Sequence, residues 1–165
     1  NLGFPGGQAV DRLAKKGNPQ AFTFPNPSLH KGNHPYDVSY SGLKTAVLYQ
    51  LDQFWNKKYE KNPANIAAAF QEAAVEMLLE RLKRALRNTG LKRVVAGGGV
   101  AANSRLREKL KLLEGIEVIF PSMKLCTDNG AMIAGIGYHY FKRNEISGLN
   151  ETVYSRVAAF KSTYP

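Results

Sequence analysis

The sequence is poor in cysteine, in long apolar runs and in acidic residues, and the first two shortages each remove a class of protein. Cys126 is the single cysteine among 165 residues, so an internal disulfide and any multi-cysteine zinc or iron–sulfur site are excluded. The longest strongly apolar stretch, residues 131–138, is far shorter than the roughly 18 residues that a membrane-spanning helix needs. No charged and then apolar segment typical of a signal peptide opens the chain. These absences predict a cytoplasmic protein with no membrane partner.

The shortage of acidic residues gives the chain a strong positive charge. Thirteen Asp and Glu stand against 23 Lys and Arg, which leaves a formal net charge of +10. Such an excess favours a polyanionic partner, and nucleic acid is the commonest one. A generally basic background, or a missing acidic half, is the alternative explanation. The chain also lacks an initiator Met, and its opening NLGFPGG is typical of internal sequence, so we expect a fragment of a longer protein.

Hydrophobic periodicity and turn residues predict helices separated by short strands. The most regular helical pattern covers residues 64–88, with proline before it and Gly90 after it. The basic side chains near its end, Arg81, Lys83, Arg84 and Arg87, are assigned to its solvent side. The other predicted helices are 8–16, 42–59 with Ser41 as its cap, 100–113 and 128–141. The predicted strands are a short β-like segment at 21–24, a buried strand at 91–96, and strands at 117–120 and 153–158.

The segment from 91 to 120 reads as strand, crossover helix and strand, which predicts a partly parallel sheet. We therefore expect an α/β protein that is rich in helices. Three parts follow from this pattern: a helix-rich part at 1–90, a βαβ part at 91–145 and a tail at 146–165.

A glycine turn joins the first predicted strand of this unit to its helix. Gly97, Gly98 and Gly99 would let backbone N–H groups approach an anion closely. The loose dinucleotide pattern is also present, but the following strand ends IFPS without the carboxylate that would hold a nicotinamide ribose. A nicotinamide enzyme is disfavoured, while another nucleotide or phosphate site and a plain tight turn both stay open.

Five side chains have a functional interpretation beside a structural one. Asp11 follows the Gly-Gly turn and suits ribose hydroxyls, or is an ordinary surface acid. Asp128 stands at the beginning of a predicted helix, where it is either a metal ligand or an N-cap. His30 and His34 have the spacing of a metal pair but lie in a loop, which favours solvation. Cys126 has no nearby basic pair and is predicted to be buried and not nucleophilic.

Five segments, in order, resemble the C-terminal half of the tRNA N6-adenosine threonylcarbamoyltransferase family, formerly called glycoprotease or O-sialoglycoprotein endopeptidase. They are FPGG at 4–7, DVSYSGLKTA at 37–46, AFQEA at 69–73, AGGGVAAN at 96–103 and CTDNGAMIA at 126–134. The resemblance implies an actin-like, sugar-kinase-like fold with two ribonuclease-H-like lobes around a nucleotide cleft. It implies transfer of a threonylcarbamoyl group from its mixed anhydride with AMP to N6 of the adenosine beside the anticodon, in tRNAs that read ANN codons.

The resemblance also implies roles for individual residues. Gly7, Asp11 and Asn103 would contact the adenylate-bearing substrate, and Asp128 would bind one divalent ion per full-length subunit, with iron expected and zinc or magnesium as alternatives. The family's two metal-binding histidines lie upstream of this chain, so His30 and His34 do not take that role. No general base is assigned, and the catalytic residues stay unknown.

The expected partners are tRNA and, by resemblance to bacterial relatives, a degenerate paralogue and a small P-loop ATPase. The fragment by itself is expected to be inactive. Two other functions are weighed: a nucleotide- or RNA-binding module without catalysis, and the metalloprotease that the older family name suggests. The protease finds no support, because the sequence has neither a nucleophile with a spaced histidine nor a His-Glu-x-x-His motif.

Overall fold

The computed structural model describes residues 5–25, 35–55 and 62–152. Its helices are α1 (Gly6–Ala14), α2 (Tyr40–Trp55), α3 (Pro63–Thr89), α4 (Ser104–Lys111) and α5 (Gly130–Lys142). Its strands are β1 (Arg93–Val95) and β2 (Glu117–Ile119), and two short 3-10 helices cover Gly99–Ala102 and Met123–Leu125. The chain divides into a first compact unit that ends at Thr127 and a second that begins at Asp128. None of the helices in the described ranges combines the length and apolar character that a membrane crossing requires.

Helix α3 is the centre of the first unit. Asn62 caps its beginning by accepting from the N–H groups of Ala64 and Asn65, and Gly90 ends it in the left-handed conformation with φ 69°. The predicted helix at 64–88 is confirmed, because proline at the first turn and glycine at the C-cap are strong boundary signals. Helices α1, α2 and α4 all pack against it.

Three apolar clusters attach these helices to α3. The first joins α2 and the 22–24 segment to α3, and its buried members are Phe24, Leu43, Ala69 and Met77. The second joins α4 and the sheet to α3, and its buried members are Val75, Leu79, Leu106 and Leu110. The third joins α1 to the beginning of α3 through Ala14, Ala67 and Ala68. Each side of α3 therefore has its own partner.

The contact between α1 and α3 is close enough to require glycine. An added Cβ at Gly17 would lie 2.0 Å from the backbone oxygen of Ala64 and 2.3 Å from its carbonyl carbon. The Asn65 side chain also accepts a hydrogen bond from the backbone N–H of Asn18 at 2.8 Å. The end of α1 is thus fixed directly against the first turn of α3.

The predicted parallel pair is confirmed: β1 and β2 are parallel, with Val94 opposite Val118. The expectation that β1 is buried is wrong, since Val95 is 73% exposed. One face of the pair covers the α3–α4 core through Ala96, Val118 and Phe120, whereas Val95 and Ile119 point to the other face. A short run of apolar residues does not reveal that only one face of its strand is covered.

Two predictions about helix ends and faces need correction. Helix α2 begins at Tyr40, and the hydroxyl of Ser39, rather than of Ser41, accepts from the N–H of Gly42 at 3.1 Å. Arg81 is buried and not on the solvent side of α3, because it follows Met77 by four residues on the same face. Its guanidinium reaches the carbonyl of Asp37 at 3.2 Å.

Other predictions concern residues with no regular structure or outside the described ranges. No strand forms at 21–24, which is irregular but places Phe24 in the core. The predicted helix from 100 begins as the 3-10 turn, and α4 proper starts at Ser104. The end of the helix predicted at 42–59, the pair His30 and His34, and the strand predicted at 153–158 lie outside the described residues.

Candidate functional site

Two of the residues that the sequence singled out, Asp11 and Asn103, meet in the first unit. Asp11 lies on α1, half-buried, one helical turn after Gly7, and its Oδ1 accepts from Asn103 Nδ2 at 3.3 Å. Gly7 is exposed in the first turn of α1, and an added Cβ there would meet no atom of the described residues within 4 Å. The structure thus joins two segments that are 92 residues apart.

Asn103 is also the N-cap of α4. Its Oδ1 accepts from the backbone N–H of Leu106 at 2.9 Å, which satisfies one of the donors left open at the beginning of a helix. Its Nδ2 donates to Gln71 Oε1 at 2.9 Å in addition to Asp11. An amide nitrogen has two hydrogens and two acceptors take them, so the side chain of Asn103 is held in one orientation.

Asp11 receives most of its hydrogen bonds through one oxygen. The hydroxyl of Ser104 donates to Oδ1 at 2.7 Å and the backbone N–H of Ser104 donates at 3.2 Å. The other oxygen, Oδ2, lies 3.6 Å from Nζ of Lys15, whose side chain is exposed. Asp11 therefore stabilises the N-terminus of α4 from a neighbouring helix, where a carboxylate is favoured by the helix dipole.

We name the residues Asp11, Gln71, Asn103 and Ser104 the amide cluster. The hydrogen-bonding capacity left on Asp11 and Asn103 consists of acceptors: Oδ2 of Asp11 and the second lone pair of Asn103 Oδ1. Gln71 and Ser104 were missed by the sequence reasoning, although Gln71 stands in one of the five motifs and Ser104 follows Asn103 directly. Neither contact has a local signal, because each depends on how α1, α3 and α4 pack.

The glycine turn before the amide cluster adopts the tight conformation that the sequence predicted. Gly98 has φ 81°, which strongly favours glycine, and its carbonyl accepts from the N–H of Ala101 at 3.0 Å. The N–H of Asn103 then donates to the carbonyl of Val100 at 3.0 Å. The turn places Asn103 at the start of α4, where its side chain contacts Asp11.

The side chain of Arg107 contacts three segments of the first unit, at Ala101, Pro121 and Cys126. Its Nε donates to the carbonyl of Ala101 at 2.6 Å, and one terminal nitrogen donates to the carbonyl of Pro121 and to Sγ of Cys126, both at 3.0 Å. Its guanidinium carbon also lies 4.6 Å from the ring centre of Phe120. Cys126 is buried as predicted, but the expectation that it has no basic neighbour is wrong, because Arg107 comes from 19 residues earlier.

An open groove of ≈ 530 Å³ borders the amide cluster along α4. Ala102 and Ser104 form the end nearest Asn103, and the rest is lined by Arg107, Glu108, Lys111, Leu112 and Met123. The groove thus combines apolar walls with charged side chains along its edge.

An ion-pair network holds α4 against α3 below this groove. Arg105 donates to Glu72 at 2.7 Å, and Lys109 contacts both Glu72 and Glu76. The hydrogen bond from Arg105, followed by those from Lys109, holds the pKa of Glu72 below its ordinary value although burial opposes this. Burial alone would lower the pKa of Lys109, but the hydrogen bonds to Glu72 and Glu76 raise it overall. The network keeps α4, and with it Asn103, in place.

Asp128 belongs to the second unit and stands just before α5. The N-cap of α5 is Asn129, whose side chain accepts from the N–H of Met132 at 3.0 Å. The N-cap interpretation of Asp128 is therefore wrong, and its carboxylate is exposed. Among the described residues no group of three or more His, Cys, Asp or Glu side chains forms a potential metal site. One exposed carboxylate does not make a metal site, so these residues do not fit a complete one.

Comparison with known proteins gives consistent matches. The family model described as tRNA N6-adenosine threonylcarbamoyltransferase matches residues 1–135. The chain is similar to the protein of that name from Treponema denticola, with 61% identity over 160 residues, 97% of this chain and 47% of that protein. The proteins of that name from Treponema pallidum and Borrelia hermsii are 51% and 47% identical and are covered over 45% and 48% of their lengths. The chain spans about half the length of the curated relatives it matches.

Proposed function

This chain belongs to the tRNA N6-adenosine threonylcarbamoyltransferase family, and on that premise we propose that the full-length protein modifies tRNA. It transfers a threonylcarbamoyl group from its mixed anhydride with AMP to N6 of the adenosine beside the anticodon, in tRNAs that read ANN codons. The observation that carries this proposal is the family match over residues 1–135. The helix-rich first unit with its parallel β1–β2 pair is compatible with the actin-like fold that the proposal entails.

The amide cluster is proposed to hold the adenylate part of the donor. Asp11 offers Oδ2 and Asn103 offers Oδ1, both acceptors, and hydroxyl groups of a ribose are matching donors. Gly7 leaves open space one turn before Asp11, where a ligand can approach the backbone of α1. Holding the donor in this way places its carbonyl for attack by the adenosine amine, which loses a proton as AMP leaves. We assign no residue as the base for that proton.

Asp128 is proposed as one oxygen ligand of a divalent ion in the full-length protein, with iron expected. A divalent ion would supply Lewis-acid stabilisation of negative charge. The described residues do not complete such a site, so the binding and orientation assigned to the amide cluster do not depend on it. The cytoplasm is the proposed compartment, and the proposed partners are tRNA, a degenerate paralogue and a small P-loop ATPase.

The transfer is tested with the full-length protein, its partner proteins, tRNA and the threonylcarbamoyl-adenylate donor. Nucleosides from digested tRNA are separated, and the modified adenosine is measured by mass spectrometry. We expect product with the wild type, a strong loss with Asp11→Ala, and wild-type rates with Glu114→Gln, an exposed acid that follows α4. Binding of tRNA and nucleotide without product would instead support the binding module, and cleavage of a sialoglycoprotein would support the protease.

The proposed tRNA partner is supported by the net charge of +10. The structure changes which residues are suitable for testing this partner. Arg81 is buried and Arg84 donates to the carbonyl of Pro35 at 2.8 Å, so replacing either would also remove a contact within the first unit. Lys83 and Arg87 are exposed and four residues apart on α3. If this face binds tRNA, Lys83→Ala with Arg87→Ala should weaken affinity and flatten its salt dependence, since each neutralised phosphate releases counterions. An unchanged slope assigns both side chains to solvation.

A further inference from the structure

Gln71 is the uncharged polar side chain that the first unit buries most completely among the described residues, at 8% exposure. A buried amide is costly unless it is hydrogen-bonded. Its Oε1 accepts from Asn103 Nδ2 at 2.9 Å, and no function considered so far uses Gln71. It lies on α3, whose packing against α1 and α4 brings it to Asn103 from 32 residues earlier.

The hydrogen bond from Asn103 to Gln71 is one of three contacts that set which way the carboxamide of Asn103 points. In the observed orientation the nitrogen faces two acceptors, Gln71 Oε1 and Asp11 Oδ1, and the oxygen caps Leu106. Rotation by half a turn would bring the Asn103 oxygen against both acceptors and lose the cap. Without the Gln71 oxygen, one N–H of Asn103 would have no acceptor and the preference would weaken.

We propose that Gln71 is a positioning residue for Asn103, an inference that rests on the proposed function. By taking one N–H of Asn103, Gln71 leaves Asn103 and Asp11 with acceptors only, which are Asn103 Oδ1 and Asp11 Oδ2. These two acceptors then select ligand groups that donate hydrogen bonds. Gln71 does not touch the ligand itself, because it is buried behind Asn103.

The test measures KM for the adenylate donor and kcat in the full-length enzyme with its partners. Gln71→Met keeps the shape of the side chain and removes the acceptor, so we expect KM to rise about fivefold with kcat changed by less than about twofold. Gln71→Glu keeps an acceptor at the same length, and its KM should lie closer to that of the wild type. The matched control is Gln50→Met on α2, whose Oε1 is buried without a partner among the described residues; it should leave KM unchanged.

A double-mutant cycle separates positioning from simple structural support. Asn103→Ser retains an N-cap and removes the amide, so adding Gln71→Met to it should change KM by less than about twofold. Additive effects, or an unchanged KM in Gln71→Met alone, would overturn the inference while the proposed function stands. If Gln71→Met does not fold, Gln71→Glu decides: a KM as high as that of Asn103→Ser contradicts the role. A wild-type enzyme without product would remove the basis of both proposals.

Discussion

Helix α3 is richer in charged residues than helix α5, and yet α3 buries more of its side chains. Helix α3 has seven charged residues among 27 and buries eight side chains. Helix α5 has a single charged residue, Lys142, among 13 and buries none of its side chains. Its exposed apolar residues include Met132, Ile133, Ile136, Tyr138 and Phe141. Burial in this chain thus depends on which elements a helix meets, because α3 has α1, α2 and α4 around it.

The largest expected effect comes from the tightest contact of α3. Gly17→Ala places a Cβ 2.0 Å from the Ala64 oxygen, and we expect a loss of at least about 3 kcal/mol in the free energy of unfolding. Gly135→Ala in α5 is the control, since its Cβ meets nothing within 4 Å of the described residues; it should stabilise by about 0.5–1 kcal/mol. Urea unfolding measures both. Equal effects would show that α1 does not pack on α3 as described.

Core truncation compares the two helices directly. Met77→Ala removes a fully buried side chain of α3 and should cost about 2–5 kcal/mol, by transfer and cavity terms together. Ile136→Ala removes an exposed side chain of α5 and should change the free energy of unfolding by less than about 0.5 kcal/mol. A cost above about 1 kcal/mol for Ile136→Ala would mean that α5 has a covering partner in solution.

Arg107→Ala should loosen the end of the first unit without emptying its core. It leaves the carbonyls of Ala101 and Pro121 without their donor and should cost about 2 kcal/mol. We expect iodoacetamide to alkylate Cys126 at least about tenfold faster, since local opening exposes it. Mass spectrometry of the peptide that contains Cys126 measures the rate. Arg93→Ala, which removes an exposed pair with Glu117, is the control, and equal rates in the two variants would refute the role of Arg107.

The ion-pair network predicts a dependence on pH. The pKa of Glu72 is held below its ordinary value of 4.5 in the folded protein. Its contribution, about 1–2 kcal/mol, is therefore present above that pH and is lost as the pH falls through the lowered pKa. The wild type should therefore be more stable than Glu72→Gln at pH 7, and this difference should disappear in acid. Glu145→Gln beside Arg143, an exposed pair after α5, should show almost no gap at either pH.

The smallest effect is expected at Asp128. Because Asn129 is the N-cap of α5, Asp128→Asn should change stability by less than about 0.5 kcal/mol, whereas Asn129→Ala should cost about 1 kcal/mol. Circular dichroism during thermal unfolding measures both changes. A stability loss with Asp128→Asn would restore the cap interpretation. Without such a loss, any defect in transfer by Asp128→Asn arises from lost charge.

Local sequence signals predicted the positions of helices and strands more accurately than the burial and tertiary contacts of their residues. Pro63 and Gly90 delimit α3 because their backbone restrictions act within a turn of the helix. Arg81 was predicted to be exposed and is buried, whereas Val95 was predicted to be buried and is exposed. Both predictions were wrong because burial depends on segments that are distant in sequence. The same limit applies to the site: Asp11 and Asn103 stand in recognisable motifs, but their joining through Gln71 and Ser104 is a product of tertiary packing.

The central position of α3 also sets the order in which the backbone can open. To expose the amides in the middle of α3, the protein must detach α1, α2 and α4 together, so these amides exchange with deuterated water only through global unfolding. The amides of α5 need no such event and exchange by fraying of that helix alone. A pulse of deuterium should therefore label the chain in two separate kinetic phases, the slow one reporting the whole first unit.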